Sequence, residues 1–157
     1  MEAEYTEVKF EQETQDHVRK VRENLLAVVK DLLDRANCHD DSKFSDDERS
    51  YFIKYTPKLK ACTYGSDEYK QFLKELEPAL KHHYAKNDHH SEHYPNGIEG
   101  MHLIALVEMF CDWLAATQRH NDGNIRRSIA INKERYHMSD QLCKIFENTA
   151  VWFENQR

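Results

Sequence analysis

The sequence predicts an all-α fold: a single-domain, irregular bundle of about six helices over residues 1–157. Three observations carry that reading. Apolar residues recur at helical spacing and no stretch alternates like a strand. Glycine and proline are scarce, four and three in 157 residues. Serine and threonine stand where helix N-caps are needed.

The first helix is read from "TQDHVRKVRENLLAVVKDLLDRA". Val18, Val21, Leu25, Val28, Val29, Leu32 and Leu33 fall on one face, Thr14 is the expected N-cap, and the helix should end near Ala36. Ser45 and Glu48 have the spacing of a capping box and open a second helix over about 46–56, expected to stop before Pro57. "TYGSD" reads as a turn. Ser66 caps a third helix through Lys86, which Pro78 should kink or split. "NDHHSEHYPNGIEG" reads as a loop. "MHLIALVEMFCDWLAATQRH" is apolar nearly all round and should be the central buried helix. "NDGN" ends it, a fifth helix covers about 125–137, and Ser139 caps a sixth through about Asn155. Phe110, Trp113, Tyr136 and Trp152 read as core.

Composition narrows the function classes. The formal net charge is -6, so the whole surface should repel a nucleic-acid duplex, and an anionic substrate would need a local cation. Arg35, Lys43, Lys81, Lys86, Arg119, Arg126 and Arg127 are candidates for that local field. The longest apolar run is too short to cross a membrane and carries two carboxylates. Four scattered cysteines form no CxxC pair, and the acidic N-terminus has no signal-peptide pattern. A cytoplasmic setting is the expectation, with the oligomeric state left open.

The chemistry lies in histidines and carboxylates. Five of the ten histidines fall in "HHYAKNDHHSEHYPNG", residues 82–97. His39-Asp40 follows the first helix directly, and His17 lies within that helix. Glu108 and Asp112 are one turn apart on the most apolar helix, so both carboxylates point the same way. Burying two carboxylates together requires a cation, a shared proton or an Arg. Taken singly, each feature has a plain structural reading: a helix-capping Asp, a surface His, a polar loop. Together they match the imidazole and carboxylate ligands of a divalent Mn, Fe, Zn, Co or Ni ion.

The order His, His-Asp, histidine cluster, Asp resembles the HD superfamily of metal-dependent phosphohydrolases, which are all-α. The resemblance implies that His17, His39, Asp40 and Asp112 hold one metal. "HDDSK" is similar to the "HDxGK" of HD-GYP phosphodiesterases and implies that Lys43 contacts substrate phosphate. "HHSEHYPNG" is similar, in compressed form, to their "HHExxDGxGYP" signature. It implies a second metal held by His89, His90 and one of His82 or His83, with His83 preferred. His82 and His93 are then solvent-facing or supporting. Ser42 replaces the glycine of that motif and the GYP tripeptide is absent, so cyclic-dinucleotide specificity is not expected. Over most of residues 17–148 the motifs "RANCHDDSKF", "HYAKNDHHSEHY" and "EMFCDWLAA" also resemble an uncharacterised family of small bacterial and phage proteins.

The expected activity is hydrolysis of a small phosphate ester (a nucleotide, deoxynucleotide or cyclic nucleotide) with one or two divalent ions lowering the pKa of a bound water. Asp40 would bridge the ions and Lys43 would face the phosphate oxygens. Glu108 would orient water or a ligand histidine, and Arg35 and Asn87 are candidate substrate contacts. Two other readings share the motif order: a di-iron oxygenase similar to inositol oxygenase, and a non-catalytic nucleotide- or partner-binding module.

Overall fold

The computed structural model describes residues 5–63, 66–119 and 123–156. Among them there are six α-helices and no strand: α1 (Glu7–Cys38), α2 (Asp46–Ala61), α3 (Asp67–Lys86), α4 (Leu103–Thr117), α5 (Ile125–Tyr136) and α6 (Asp140–Glu154). Short 3-10 turns cover Asp41–Phe44, Ser91–His93 and Gly97–Gly100. The expected turn at Tyr64-Gly65 and the helix stop at Asn121-Asp122 lie outside the described residues. No described helix is long and apolar enough to cross a membrane.

The chain divides into two compact units, residues 1–37 and 38–157. The first is almost entirely α1, which begins two turns before the expected Thr14 cap. Thr6 is the residue that starts it: its hydroxyl accepts from the Lys9 amide at 3.3 Å, and its carbonyl accepts from the Phe10 amide at 3.0 Å. Residues 7–13 carry no apolar stripe, so periodicity could not reveal this extension. Pairs such as Arg19 with Asp16 and Lys20 with Glu23 add the modest support of neighbours on one helix face. No residue of α1 is buried.

The described residues of the second unit form two apolar clusters. Tyr55, Leu76 and Ala79 join α2 to α3, with Phe52, Leu59 and Phe72 packed around them. That contact explains why α2 runs through Pro57 to Ala61 instead of stopping before it. Proline removes one amide donor and crowds the preceding turn, but Pro57 is exposed and burial of the face around Tyr55 outweighs the loss. α3 likewise runs unsplit through Pro78. Ser66 and Ser139 cap α3 and α6 as expected, accepting from the Tyr69 and Leu142 amides.

The larger cluster joins α4, α5 and α6 around Met109, Phe110, Ile129, Phe146 and Ala150, with Phe110 stacked on Phe146 at 5.4 Å. Trp113 and Tyr136 pack against it, stacked on each other. Trp152, expected in the core, is 55% exposed. It follows Val151 on the outer side of α6, while Ala150 and Phe153 face inward. α4 is not buried all round either. Ala105, Met109 and Phe110 face the core, but Leu103 is 70% exposed, and Val107 and Cys111 lie on the same open side. A third side of α4 carries Glu108 and Asp112, which sequence apolarity alone does not distinguish from core.

Candidate metal centre

The centre is built from four places in the second unit. His39-Asp40 form the turn that leaves α1. His83 is in the last turn of α3. His89 and His90 are in the loop that follows. Glu108 and Asp112 project from α4. Asp40 has a left-handed backbone, φ 61° and ψ 15°, a conformation that Asp adopts more readily than most side chains. Its carbonyl accepts from the Lys43 amide at 2.9 Å, starting the 3-10 turn. The histidine loop is compact at its far end. A Cβ on Gly100 would sit 2.9 Å from the Cβ of Tyr94, so only glycine lets the two segments close.

Two glutamates orient the imidazoles. Glu108 Oε1 lies 2.9 Å from His39 Nδ1 and 3.2 Å from His89 Nδ1. Glu48, fully buried on α2, places Oε2 3.0 Å from His83 Nδ1 and Oε1 2.8 Å from His82 Nδ1. An ionised carboxylate only accepts, so each of these Nδ1 atoms carries the hydrogen. In the neutral rings, Nε2 is then a bare lone pair. The Nε2 atoms of His83 and His89 both face Asp40 Oδ1, at 3.1 and 3.5 Å, and His83 Nε2 is 2.9 Å from His90 Nε2. Asp40 Oδ1 and His89 Nε2 are buried without a hydrogen-bond partner. Acceptors converging without a donor repel one another unless a cation sits among them.

Among the described residues, three overlapping groups have ligand atoms within 4.8 Å of one another: Asp40, His83, His89 and His90; His39, Asp40 and Asp112; His39, His89 and Glu108. The residues present therefore suit a divalent ion in number, type and orientation. Asp40 belongs to the first two groups. Its Oδ1 faces His83 and His89, and its Oδ2 faces His39 at 3.4 Å and the Lys43 ammonium.

The electrostatics of the metal-free protein fit the same picture. Asp112 and Glu108 hold the His39 imidazolium up to about 10, so a proton on His39 supplies positive charge among the carboxylates. Burial pushes His90 down to about 3, which keeps it neutral and able to ligate. Burial opposes ionisation of Asp40, yet a hydrogen bond from His83, when its Nε2 carries a proton in place of a cation, together with Lys43 and the charge of His39, holds it well below the usual carboxylate range. Asp112 is also buried, and His39 holds it low.

The other expected site residues fall as follows. Lys43 pairs with Asp40 and lies over the Phe52 ring at 5.4 Å. The amide nitrogen of Asn87 donates to Ser42 Oγ at 2.7 Å and to the His83 carbonyl at 2.8 Å, so Asn87 braces the end of α3 against the turn after His39-Asp40. His93 is exposed and bonds the Tyr84 carbonyl. Arg35 pairs with Asp31 on α1. His17 is exposed on α1, in the first unit, and the three donor groups all draw on the second. Glu48 is the residue that sequence reasoning misplaced. The expected capping box does not form: Ser45 makes no side-chain cap bond and instead donates to the Ser42 carbonyl, and Glu48 turns inward to the histidines.

A cleft of about 580 Å³ lined by Leu114, Ile125, Ala150 and Phe153 carries none of these donors. No curated protein and no solved structure matches the chain. A family model described as a family of unknown function (DUF5662) matches residues 6–151, so the chain belongs to that family.

Proposed function

We propose that the chain is a metal-dependent phosphohydrolase of HD-like design, acting on a small phosphate ester in the cytoplasm. The observation that carries the metal is the convergence of Nε2 lone pairs on the unpartnered Asp40 Oδ1. A bound divalent ion would supply Lewis acidity and an acidified water. His83, His89, His90 and Asp40 would hold one ion; His39, Asp112 and the second oxygen of Asp40 would hold the other. Glu108 fixes the rings of His39 and His89 through their Nδ1 hydrogens. Lys43, beside Asp40 and 37% exposed, is the cation within reach of a phosphate oxygen. The three-residue group leaves coordination positions open for water and substrate, as catalytic sites require.

The four-residue group favours a second reading. Four protein ligands close a tetrahedral ion, which is the pattern of a structural site. A non-catalytic binding module with one structural metal would use this group alone.

Metal content per chain decides between them, measured on protein purified without an affinity tag, beside His39→Ala and Asp112→Ala. About two equivalents in the wild type, reduced in the His39 and Asp112 variants, together with phosphate release from nucleotides or cyclic nucleotides, is the expected result. One equivalent, unaffected by Asp112→Ala and without phosphate release, would support the structural site. Bound iron with a mixed-valent signal would redirect the reading to an oxygenase. No metal on any preparation, or after adding Mn or Fe, would sink the hydrolase.

A further inference from the structure

We infer that Glu48 is the positioning residue that sets which nitrogen of His83 faces the centre, an inference that rests on the metal-centre reading above. Glu48 is 0% exposed and lies on α2, whereas the histidine it holds is on α3. One oxygen takes the His83 Nδ1 hydrogen at 3.0 Å and the other takes the His82 Nδ1 hydrogen at 2.8 Å. His82 in turn places Nε2 3.4 Å from Asp47. A line of four side chains, Asp47, His82, Glu48 and His83, therefore runs from the surface to the ligand cluster.

A purely structural role is a poor account of this arrangement. A buried carboxylate is costly, and a well-packed apolar pair would join two helices at least as well. The same two helices are also linked by Tyr55 and Glu75 at 2.7 Å, from a carboxylate on the surface of α3. What Glu48 adds is acceptor-only character. With the hydrogen of His83 drawn to Nδ1, Nε2 is left bare toward Asp40 and His90. Ser42 does not impose this, because a hydroxyl accommodates either tautomer of His83, and the Asn87 amide nitrogen, 3.1 Å from Nδ1, favours the opposite one, so only the Glu48 carboxylate draws the hydrogen to Nδ1.

The test uses the full chain with Co²⁺ as probe, followed by its visible absorption and by equilibrium dialysis. Glu48→Gln keeps the shape but offers one acceptor and one donor, so it cannot hold both Nδ1 hydrogens. The expected result is that one class of bound cobalt weakens about 10–100-fold and its absorption band changes, while the EDTA-treated variant still melts cooperatively. Glu75→Gln, which loosens the same helix pair, should leave the cobalt spectrum unchanged. Glu48→Asp, still an acceptor but shorter, should recover part of the affinity, and it carries the test if Glu48→Gln does not fold. Wild-type cobalt affinity and spectrum in Glu48→Gln, or in Glu48→Asp where that is the folded variant, would overturn the role of Glu48 and leave the metal centre standing. A wild type that binds no cobalt would overturn both.

Discussion

Replacing Asp40 by Asn tests the centre at the residue shared by its two ligand groups. Asn tolerates the left-handed backbone at this position, so the change removes charge and one acceptor without forcing the turn. A ligand that binds only the folded chain at about one hundred times its Kd stabilises it by about 2.7 kcal/mol. For a chain of this size that corresponds to a rise in melting temperature of about 5–11 °C. The wild type should show a shift of this order between EDTA and excess Zn²⁺ or Mn²⁺ in a thermal melt. Asp40→Asn should show a much smaller one, because one ligand group loses its oxygen and the other keeps only a neutral amide carbonyl. An equal metal-induced shift in wild type and variant would refute the assignment of Asp40, and with it the two-group description of the site.

The metal-free protein should also respond to pH through His39. Its folded pKa is raised to about 10, so its contribution to stability is complete below its ordinary value near 6.5 and is lost as pH rises through about 10. Melting temperature in EDTA should fall between pH 7 and pH 10.5, and His39→Gln should flatten that fall. Because His39 must give up its proton to ligate, metal binding at pH 7.5 should release protons, visible as a calorimetric heat that changes with the ionisation enthalpy of the buffer. Away from the centre, Phe110→Ala should cost about 3–5 kcal/mol in denaturant unfolding, since Phe110 is 2% exposed and stacked on Phe146. Trp152→Ala should stay within about 0.5 kcal/mol, as for an ordinary surface position.

Much of this was legible because it is local. Ser66 and Ser139 announced α3 and α6 through hydrogen bonds that span three residues. Glu108 and Asp112 announced a shared partner through helical spacing, and their place on an apolar helix marked them as unusual. The missed features depend on contacts distant in sequence. Glu48 satisfied a local motif on paper, and only the packing of α2 on α3 turns it away from Ser45 and onto His82 and His83. Asn87 gave no local sign of the bond its amide nitrogen makes to Ser42, 45 positions away. Pro57 carried a valid local signal that the burial of Tyr55 and its neighbours outweighs. The apolarity of α4 gave its membership of the core but not which sides stay open, because that depends on which helices pack against it.

The left-handed turn at Asp40 has a consequence for how such a centre would be lost over evolutionary time. Few residue types occupy that conformation cheaply, and glycine and asparagine lead them. The two substitutions that disturb the backbone least are thus ones that abolish the carboxylate. Drift at this position would erase the chemistry while sparing the helices, leaving relatives that keep the architecture and carry Asn or Gly after the histidine. A variant of that kind is a folded decoy, and screening family members for the residue at this one position would sort candidate enzymes from candidate scaffolds before any is purified.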